Sequence, residues 1–343
     1  MLAVYFSHLF MRNSRIDFVG PVNMNSFGQT GVLIFFVHTS LVLMLSMERM
    51  DMAKQDSAMA FYVRRFFRIY PLSIVAVIFA AIFRIPPNPT LHYAWIGWPA
   101  FWSNIALMQN LTLSKNILGP LWSLPLECQM YVLLPPLFFL VMRFRGWAVP
   151  FALWAVSVVV ALVMFHYHFT DRLMLGYFAP CFVGGIMAFG MLRYPSLRLP
   201  FWGWPIVIAA TFAIRQFSFR YSWLGCLLLG VAAPQFKQMT QPILSKVAAL
   251  MARYSYGIYL AHIIIFYYVG VVMRGAPLVI RVAVCIVASV VCPVVLYHTL
   301  EKPMIKVGIN LANWLVRQRG IPSRPELAPV PVVTTDTKYP PAL

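Results

Sequence analysis

The sequence predicts an all-α, polytopic transmembrane helix bundle, and three features support this prediction. Hydrophobic residues make up 61% of the 343-residue chain, and charged residues make up only 10%. A soluble globular chain has about 45–50% apolar and about 25% charged residues. The third feature is a series of long apolar runs. Such runs indicate membrane spans, because a helix of about 20 mostly apolar residues crosses a bilayer. The chain therefore has too little charge to cover a water-facing surface of this size.

Nine strong candidate spans follow one another along the chain. They are residues 31–47, 71–85, 121–142, 148–165, 173–192, 201–217, 221–236, 254–273 and 277–300. Residues 1–11 are apolar but too short to cross a membrane by themselves. They are either the outer end of a first helix that begins upstream or a short interfacial segment. They lack the basic region and the cleavage site of a secretory signal peptide.

Residues 95–112 form a weaker candidate, because Asn104, Gln109 and Asn110 interrupt the apolar pattern. If this segment does not cross, the chain has ten spans, and 18 of its 27 lysines and arginines lie on the inner side. If it does cross, every later loop changes sides and fewer basic residues lie inside. The positive-inside rule therefore predicts ten spans, two cytoplasmic termini, and a re-entrant or surface segment at 95–112 that packs against protein.

The net charge of +18 is assigned to cytoplasmic loops and not to nucleic-acid binding, because the basic residues lie mainly between apolar runs. The five cysteines lie in apolar stretches without a CxxC pair or a metal-binding cluster with histidine. They are predicted to be buried small hydrophobic residues, and no metal site is expected. Residues 1–310 form one transmembrane domain, and residues 311–343 form a Pro-rich, extended cytoplasmic tail.

Polar residues at membrane depth are the candidate functional residues. Glu127 is the one carboxylate well inside a predicted span, and it shares a helix face with Tyr131 at i+4. A buried carboxylate is costly unless it is paired, protonated or beside a wet cavity. Glu127 therefore either fixes the packing of a neighbouring helix or belongs to an active site.

Histidines at membrane depth are the second set of candidates. His8 lies near the outer end of the first apolar run, and a neutral imidazole can take the hydroxyl proton in acyl transfer to an alcohol. Ser255, Tyr259 and His262 recur at i, i+4 and i+7 and therefore form one stripe on a helix. This stripe is either a polar seam between helices or part of a site.

Two arginines, Arg65 and Arg68, are spaced i, i+3 just before Pro71. They can anchor the inner end of a helix that starts at Pro71. They can equally form a phosphate clamp on the cytoplasmic face, because arginine binds phosphate oxygens through two parallel hydrogen bonds. Composition does not separate these two interpretations.

These candidate residues and the stretches around them, in their order along the chain, resemble the acyltransferase family 3 of membrane proteins. This family includes O-acetylases of bacterial cell-surface polysaccharides and of Nod factors. The matching stretches are residues 3–8, 31–37, 64–71, 109–111, 121–131, 255–262 and 298–303. The resemblance implies ten helices in the bacterial inner (plasma) membrane and an acyl-CoA donor, here acetyl-CoA, on the cytoplasmic side. The acceptor is a hydroxyl of a cell-surface or exported polysaccharide or of its lipid-linked precursor.

The resemblance also implies roles for individual residues. His8 is the essential histidine of the first helix, and Arg65 and Arg68 are the Arg-x-x-Arg pair that holds the phosphates of CoA. Glu127 belongs to the Trp-Ser-Leu-x-x-Glu segment and either orients the imidazole of His8 or holds the acceptor. Four further residues are expected to contact the substrate: Ser123, Tyr131, Tyr259 and His262.

The sequence departs from the family pattern in two places. Only seven residues precede His8, so the arginine that the family has eleven positions before this histidine is missing, and the first helix is expected to be shortened. Leu33 stands in place of an aspartate of the second helix, and His38 is the candidate to compensate. Two alternatives therefore stay open: an inactive relative acting as an assembly partner, and a transporter or flippase of a lipid-linked sugar that uses buried Glu and His as proton relays.

Overall fold

The computed structural model describes residues 2–13, 18–19, 22–50, 58–87, 93–144, 146–167, 171–192, 194, 197–237 and 241–318. These residues are almost entirely helical. The α-helices of this part of the chain are α1 (Leu2–Asn13), α2 (Met24–Arg49), α3 (Ala58–Ile82), α4 (Trp98–Ile105), α5 (Leu124–Arg143), α6 (Ala148–His166), α7 (Met174–Met191), α8 (Trp204–Phe217), α9 (Ser222–Ala232), α10 (Pro242–Val272), α11 (Leu278–Leu296) and α12 (Lys302–Gln318).

The remaining regular elements are short. Strands β1 (Phe18–Val19) and β2 (Val22–Asn23) form an antiparallel pair that leads into α2. Four 3₁₀ turns precede or follow longer helices: Gly119–Ser123, Asp171–Leu173, Phe201–Gly203 and Ala233–Gln235. A π-helical turn, Tyr297–Glu301, joins α11 to α12.

Seven described helical segments are long and apolar enough to cross a membrane. They are α2, α3, α5 with the 3₁₀ turn before it, α6, α7, α10, and the continuous segment from α11 to α12. The prediction of an all-helical, multi-pass membrane protein is therefore confirmed. The predicted ten spans also include the segments that fold as α1, α8 and α9. These helices have 12, 14 and 11 residues, fewer than the roughly 20 that a span needs.

Several helix boundaries differ from those predicted, and two of them concern the candidate site and the tail. Helix α3 begins at Ala58, thirteen residues before Pro71, which lies inside the helix. A membrane helix tolerates an internal proline when neighbouring helices satisfy the freed backbone groups. The last helix continues to Gln318, eight residues into the segment assigned to the tail. The rest of the predicted tail, residues 319–343, lies outside the described residues.

Glycines let α7 pack against α2 and α9 at backbone distance. A Cβ atom on Gly184 would lie 2.6 Å from the carbonyl oxygen of Cys226 in α9. A Cβ atom on Gly185 would overlap the carbonyl oxygen of Val37 in α2. We call this close contact between helices the glycine seam.

Helix α10 connects two regions of the bundle. Its C-terminal half packs with α1 and α11 around a small apolar core that includes Tyr5, Phe266 and Cys285. One turn earlier, α10 contacts the Gly119–Ser123 turn and α3. Helix α10 therefore reaches both groups of candidate site residues.

The segment predicted not to cross contains α4, which has eight residues and is about 12 Å long at 1.5 Å per residue. The side chain of Asn104 holds the following irregular chain together. Its amide nitrogen donates to the carbonyl oxygens of Ala100 and Lys115, and its oxygen accepts from the backbone N–H of Ile117. The Tyr70 hydroxyl in the middle of α3 donates to the carbonyl oxygen of Ala106 at 3.1 Å. The segment is thus packed against the bundle by polar contacts.

Candidate functional site

Glu127 lies at the start of α5, which begins directly after the 3₁₀ turn and carries a proline in its first turn. The glutamate is buried, with 6% of its surface exposed. The Tyr131 hydroxyl donates a hydrogen bond to its Oε1 atom, as the i, i+4 spacing allows. Both predicted site residues on α5 therefore face the interior and contact one another.

Arg65 interacts electrostatically with Glu127 and Tyr131. Its guanidinium group also lies 5.8 Å from the centre of the Phe61 ring, in a cation–π contact. Among the described residues, its Nε atom has no hydrogen-bond partner although it is buried. Arg65 is therefore held beside the carboxylate of α5 with one N–H donor unused.

Arg68 forms an ion pair with Glu301, with 2.9 Å between Nη1 and Oε2. The guanidinium group also lies 5.9 Å from the centre of the Tyr256 ring of α10. The Arg68 side chain is 27% exposed, whereas that of Glu301 is 1% exposed. The sequence analysis missed Glu301, because this residue directly follows the last predicted span. Its position within one of the family-like stretches, 298–303, was the available signal.

Five residues therefore form one group, which we call the arginine–carboxylate cluster: Arg65, Arg68, Glu127, Tyr131 and Glu301. The predicted ten-span topology places the two arginines at the inner face of the membrane and Glu127 near the outer boundary. The structure corrects this, since Glu127 interacts electrostatically with both arginines. The reason is that α3 begins well before Pro71, so Arg65 lies seven residues inside the helix, about 10 Å from its start.

The second group is the histidine pair, His8 of α1 and His262 of α10. Their ring centres are 5.3 Å apart, so the two imidazole rings are direct neighbours. His262 is fully buried, and its Nδ1 atom lies 3.1 Å from the carbonyl oxygen of Ile258. A carbonyl oxygen only accepts hydrogen bonds, so Nδ1 carries the proton. The Nε2 atom then has a lone pair, and it has no partner within the described chain.

Ser123 and Tyr259 tie the 3₁₀ turn before α5 to α10. The Tyr259 hydroxyl lies 2.8 Å from the carbonyl oxygen of Pro120 and 2.7 Å from the Ser123 hydroxyl oxygen. Ser255, the first residue of the predicted stripe, bonds back to the carbonyl oxygen of Ala252 within its own helix. Tyr259 and His262 therefore belong to the site region, and the hydroxyls of Ser123 and Tyr259 are already used in holding its two helices together.

Two proposed relationships are not found in the structure. Among the described contacts, no hydrogen bond or ion pair joins Glu127 to His8, so the glutamate does not orient this imidazole directly. Leu33 is buried in the main core, whereas His38 is exposed on the outer surface of α2. Five positions along a helix turn the chain by about 500°, or 140° after one full turn, so His38 faces away from Leu33 and does not replace the missing aspartate.

None of the five cysteines, all of which the structure describes, forms a disulfide: Cys181, Cys226 and Cys285 are buried, and Cys128 and Cys292 are half-buried. In the part of the chain that the structure describes, no group of three His, Cys, Asp or Glu side chains is arranged to hold a metal ion.

Comparison with known proteins adds one finding. The family model of the acyltransferase 3 family, described as an acyltransferase domain, matches residues 1–298, which is most of the 343-residue chain. Neither curated proteins nor solved structures gave a significant match.

Proposed function

Because this multi-pass membrane protein belongs to the acyltransferase 3 family, we propose that it transfers an acetyl group from acetyl-CoA to a hydroxyl group of a polysaccharide. The acceptor is a cell-surface or exported polysaccharide or its lipid-linked precursor. The observation that supports this most is a chain of contacts between the two groups. The ring of Tyr259 lies 6.1 Å from that of His262, and the Tyr259 hydroxyl contacts Ser123, four residues before Glu127 of the arginine–carboxylate cluster. A proton acceptor and a cationic site for a phosphate-bearing donor are thereby available in one bundle.

His8 acts as the general base in this proposal. It takes the proton of the acceptor hydroxyl while the hydroxyl oxygen attacks the carbonyl carbon of the acetyl thioester. The new ester C–O bond forms, the C–S bond breaks, and the thiolate of CoA leaves and receives the proton. His8 is half-buried, so its ring is sheltered by the bundle and remains reachable from one side.

His262 supports His8 in the same step. Its Nδ1 proton is held by the carbonyl oxygen of Ile258, and its free Nε2 lone pair is next to the His8 ring. Nε2 is thus suited to accept a hydrogen bond from His8 or from the acceptor hydroxyl. A histidine whose second nitrogen is fixed in this way keeps one tautomer, so His262 presents the same acceptor atom to His8 throughout the step.

Arg65 and Arg68 are the residues that would hold the phosphates of the donor. Arg68 is partly exposed and Arg65 has an unused N–H donor, so both have capacity for an anion. Glu127 and Tyr131 would then keep Arg65 in place.

The proposed orientation is that of a bacterial inner-membrane protein with ten spans and two cytoplasmic termini. The three shorter helices, α1, α8 and α9, would be the remaining three of the ten spans. Around them, neighbouring helices would tilt or the bilayer would thin locally. The segment at 95–112 would enter the bundle without crossing. The hydrogen bond from Gln129 Nε2 in α5 to Asn110 Oδ1, at 3.0 Å, and the one from Tyr70 to Ala106 support this placement.

The test uses the purified full-length protein, labelled acetyl-CoA and an acceptor glycan, with His8→Ala and His38→Ala as matched variants. We expect the wild type to consume acetyl-CoA and to acetylate the glycan. His8→Ala should lose about 10²–10⁴-fold in kcat, whereas His38→Ala should keep wild-type activity because His38 faces outward. Unimpaired turnover by His8→Ala would refute the assignment of the base. A transporter of a lipid-linked sugar would not consume acetyl-CoA at all.

A further inference from the structure

We propose that Glu301 is a positioning residue that presents Arg68 to the phosphates of the donor, an inference that rests on the proposed function. Glu301 lies at the end of the π-helical turn between α11 and α12, and it pairs with Arg68 across the helix interface. Of the two carboxylates in the arginine–carboxylate cluster, it is the one that makes a direct ion pair with an arginine.

The two partners of this ion pair differ in exposure, and this difference indicates which partner holds the other. Glu301 is 1% exposed and contacts Arg68 through Nη1, while the arginine side chain is 27% exposed. A guanidinium group has five N–H donors in a fixed planar fork. The carboxylate therefore holds one edge of the guanidinium group from the protein interior and leaves other donors free. An arginine fixed in this way loses less conformational freedom when it binds a phosphate.

The position of Glu301 is itself fixed by α10 and α11. A Cβ atom added to Gly257 of α10 would lie 3.2 Å from Glu301 Oε1 and 3.1 Å from the Pro293 side chain of α11. The glycine thus makes room for the carboxylate at a helix contact. The ring of Tyr256, the preceding residue, lies by the guanidinium group of Arg68. Adjacent residues of α10 therefore contact the two halves of the ion pair.

The formal charges of the cluster allow a competing interpretation. Arg65 and Arg68 are balanced by Glu127 and Glu301, so Glu301 could compete with the donor phosphates for Arg68. Competition and positioning predict opposite effects. If Glu301 competes, removing its charge tightens the binding of CoA. If Glu301 positions Arg68, removing its oxygen atoms weakens the binding of CoA, and glutamine, which keeps one acceptor oxygen, restores part of the affinity.

The first experiment measures the binding of CoA to the purified full-length protein and the KM values of the reaction for Glu301→Leu and Glu301→Gln. We expect Glu301→Leu to raise the Kd of CoA and the KM of acetyl-CoA about tenfold, with the KM of the glycan unchanged. Glu301→Gln should lie between this variant and the wild type. Wild-type or tighter binding of CoA by Glu301→Leu would overturn the proposal.

The second experiment disturbs the carboxylate without changing any charge, so it remains informative if Glu301→Leu does not fold. Gly257→Ala places a methyl group against Glu301 Oε1 and should raise the Kd of CoA. Gly275→Ala is the control, because a Cβ atom there meets nothing within 4 Å, and its Kd should equal that of the wild type. Equal Kd values for both glycine variants would refute the positioning role. If the wild type neither binds CoA nor consumes acetyl-CoA, the proposed function itself fails.

Discussion

At the scale of single residues, the Tyr131 hydroxyl has the clearest structural role, because it is the hydrogen-bond donor to a carboxylate buried in the bundle. Without this donor, Glu127 would depend on its electrostatic interaction with Arg65 and Arg68 alone. A buried acceptor that loses its partner costs about 1–3 kcal/mol.

Tyr131→Phe should therefore lower the free energy of unfolding in detergent by about 1–3 kcal/mol and reduce acetyl transfer. Tyr62→Phe is the matched control, because its hydroxyl donates to the carbonyl oxygen of Val132 at an exposed position, so its loss leaves no buried carboxylate without a donor. Chemical unfolding followed by tryptophan fluorescence measures both variants. Equal stabilities of the two variants would contradict a structural role of the Tyr131–Glu127 bond.

Sequence reasoning found individual site residues more readily than their partners. Glu127 and His8 stood out because a charged or titratable side chain in an apolar run is rare and costly. The pairing of Arg68 with Glu301 joins residues 233 positions apart in the chain, and no local pattern encodes such a contact. The same holds for His8 and His262, whose rings meet only because α1 packs against α10.

At the scale of helices, the apolar runs predicted the existence of the spans but not their ends. Arg64, Arg65 and Arg68 look like residues outside a membrane, yet all three lie inside α3. Two of them have partners in α12 and in the junction before it: Arg64 bonds Asn313 at 2.9 Å and Arg68 bonds Glu301. Tertiary contacts therefore extended the helix beyond the boundary that hydropathy indicates.

The glycine seam allows a prediction about helix packing. Gly185→Ala places a methyl group on the carbonyl oxygen of Val37, and backbone atoms cannot rotate away as a side chain can. We expect a loss of about 1–3 kcal/mol in stability and a lower yield of folded protein. Gly275→Ala, which meets open space, should leave the melting temperature unchanged. A Gly185→Ala protein as stable as the control would show that α2 and α7 separate easily.

At the scale of the whole molecule, the distribution of charge predicts the orientation in the membrane. Ten spans place Lys237, after α9, on the cytoplasmic side and Arg220, before α9, on the outer side. Helix α9 has only 11 residues, so this pair tests the part of the topology that helix length supports least.

Lys237→Cys and Arg220→Cys, each in a protein whose native cysteines are replaced by alanine, report the two sides. A membrane-impermeant maleimide added to intact spheroplasts should label Arg220→Cys and spare Lys237→Cys, and lysis should make both reactive. Labelling of both or of neither before lysis would mean that α9 does not cross the membrane. Labelling of Lys237→Cys alone before lysis would mean that the topology is the inverse of the one proposed.

The π-helical turn Tyr297–Glu301 also keeps α12 in rotational phase with α11 although the chain carries one extra residue. In a regular α-helix one added residue would rotate everything after it by about 100°, but a π-helical turn is wider and absorbs the addition. Deleting a residue such as Thr299 and closing the turn to a regular α-helix would therefore leave Gly308 and Asn313 on the surface of α3, where they meet Phe67 and Arg64. A comparison of related chains that ignores this one-residue offset would align the wrong face of the last helix.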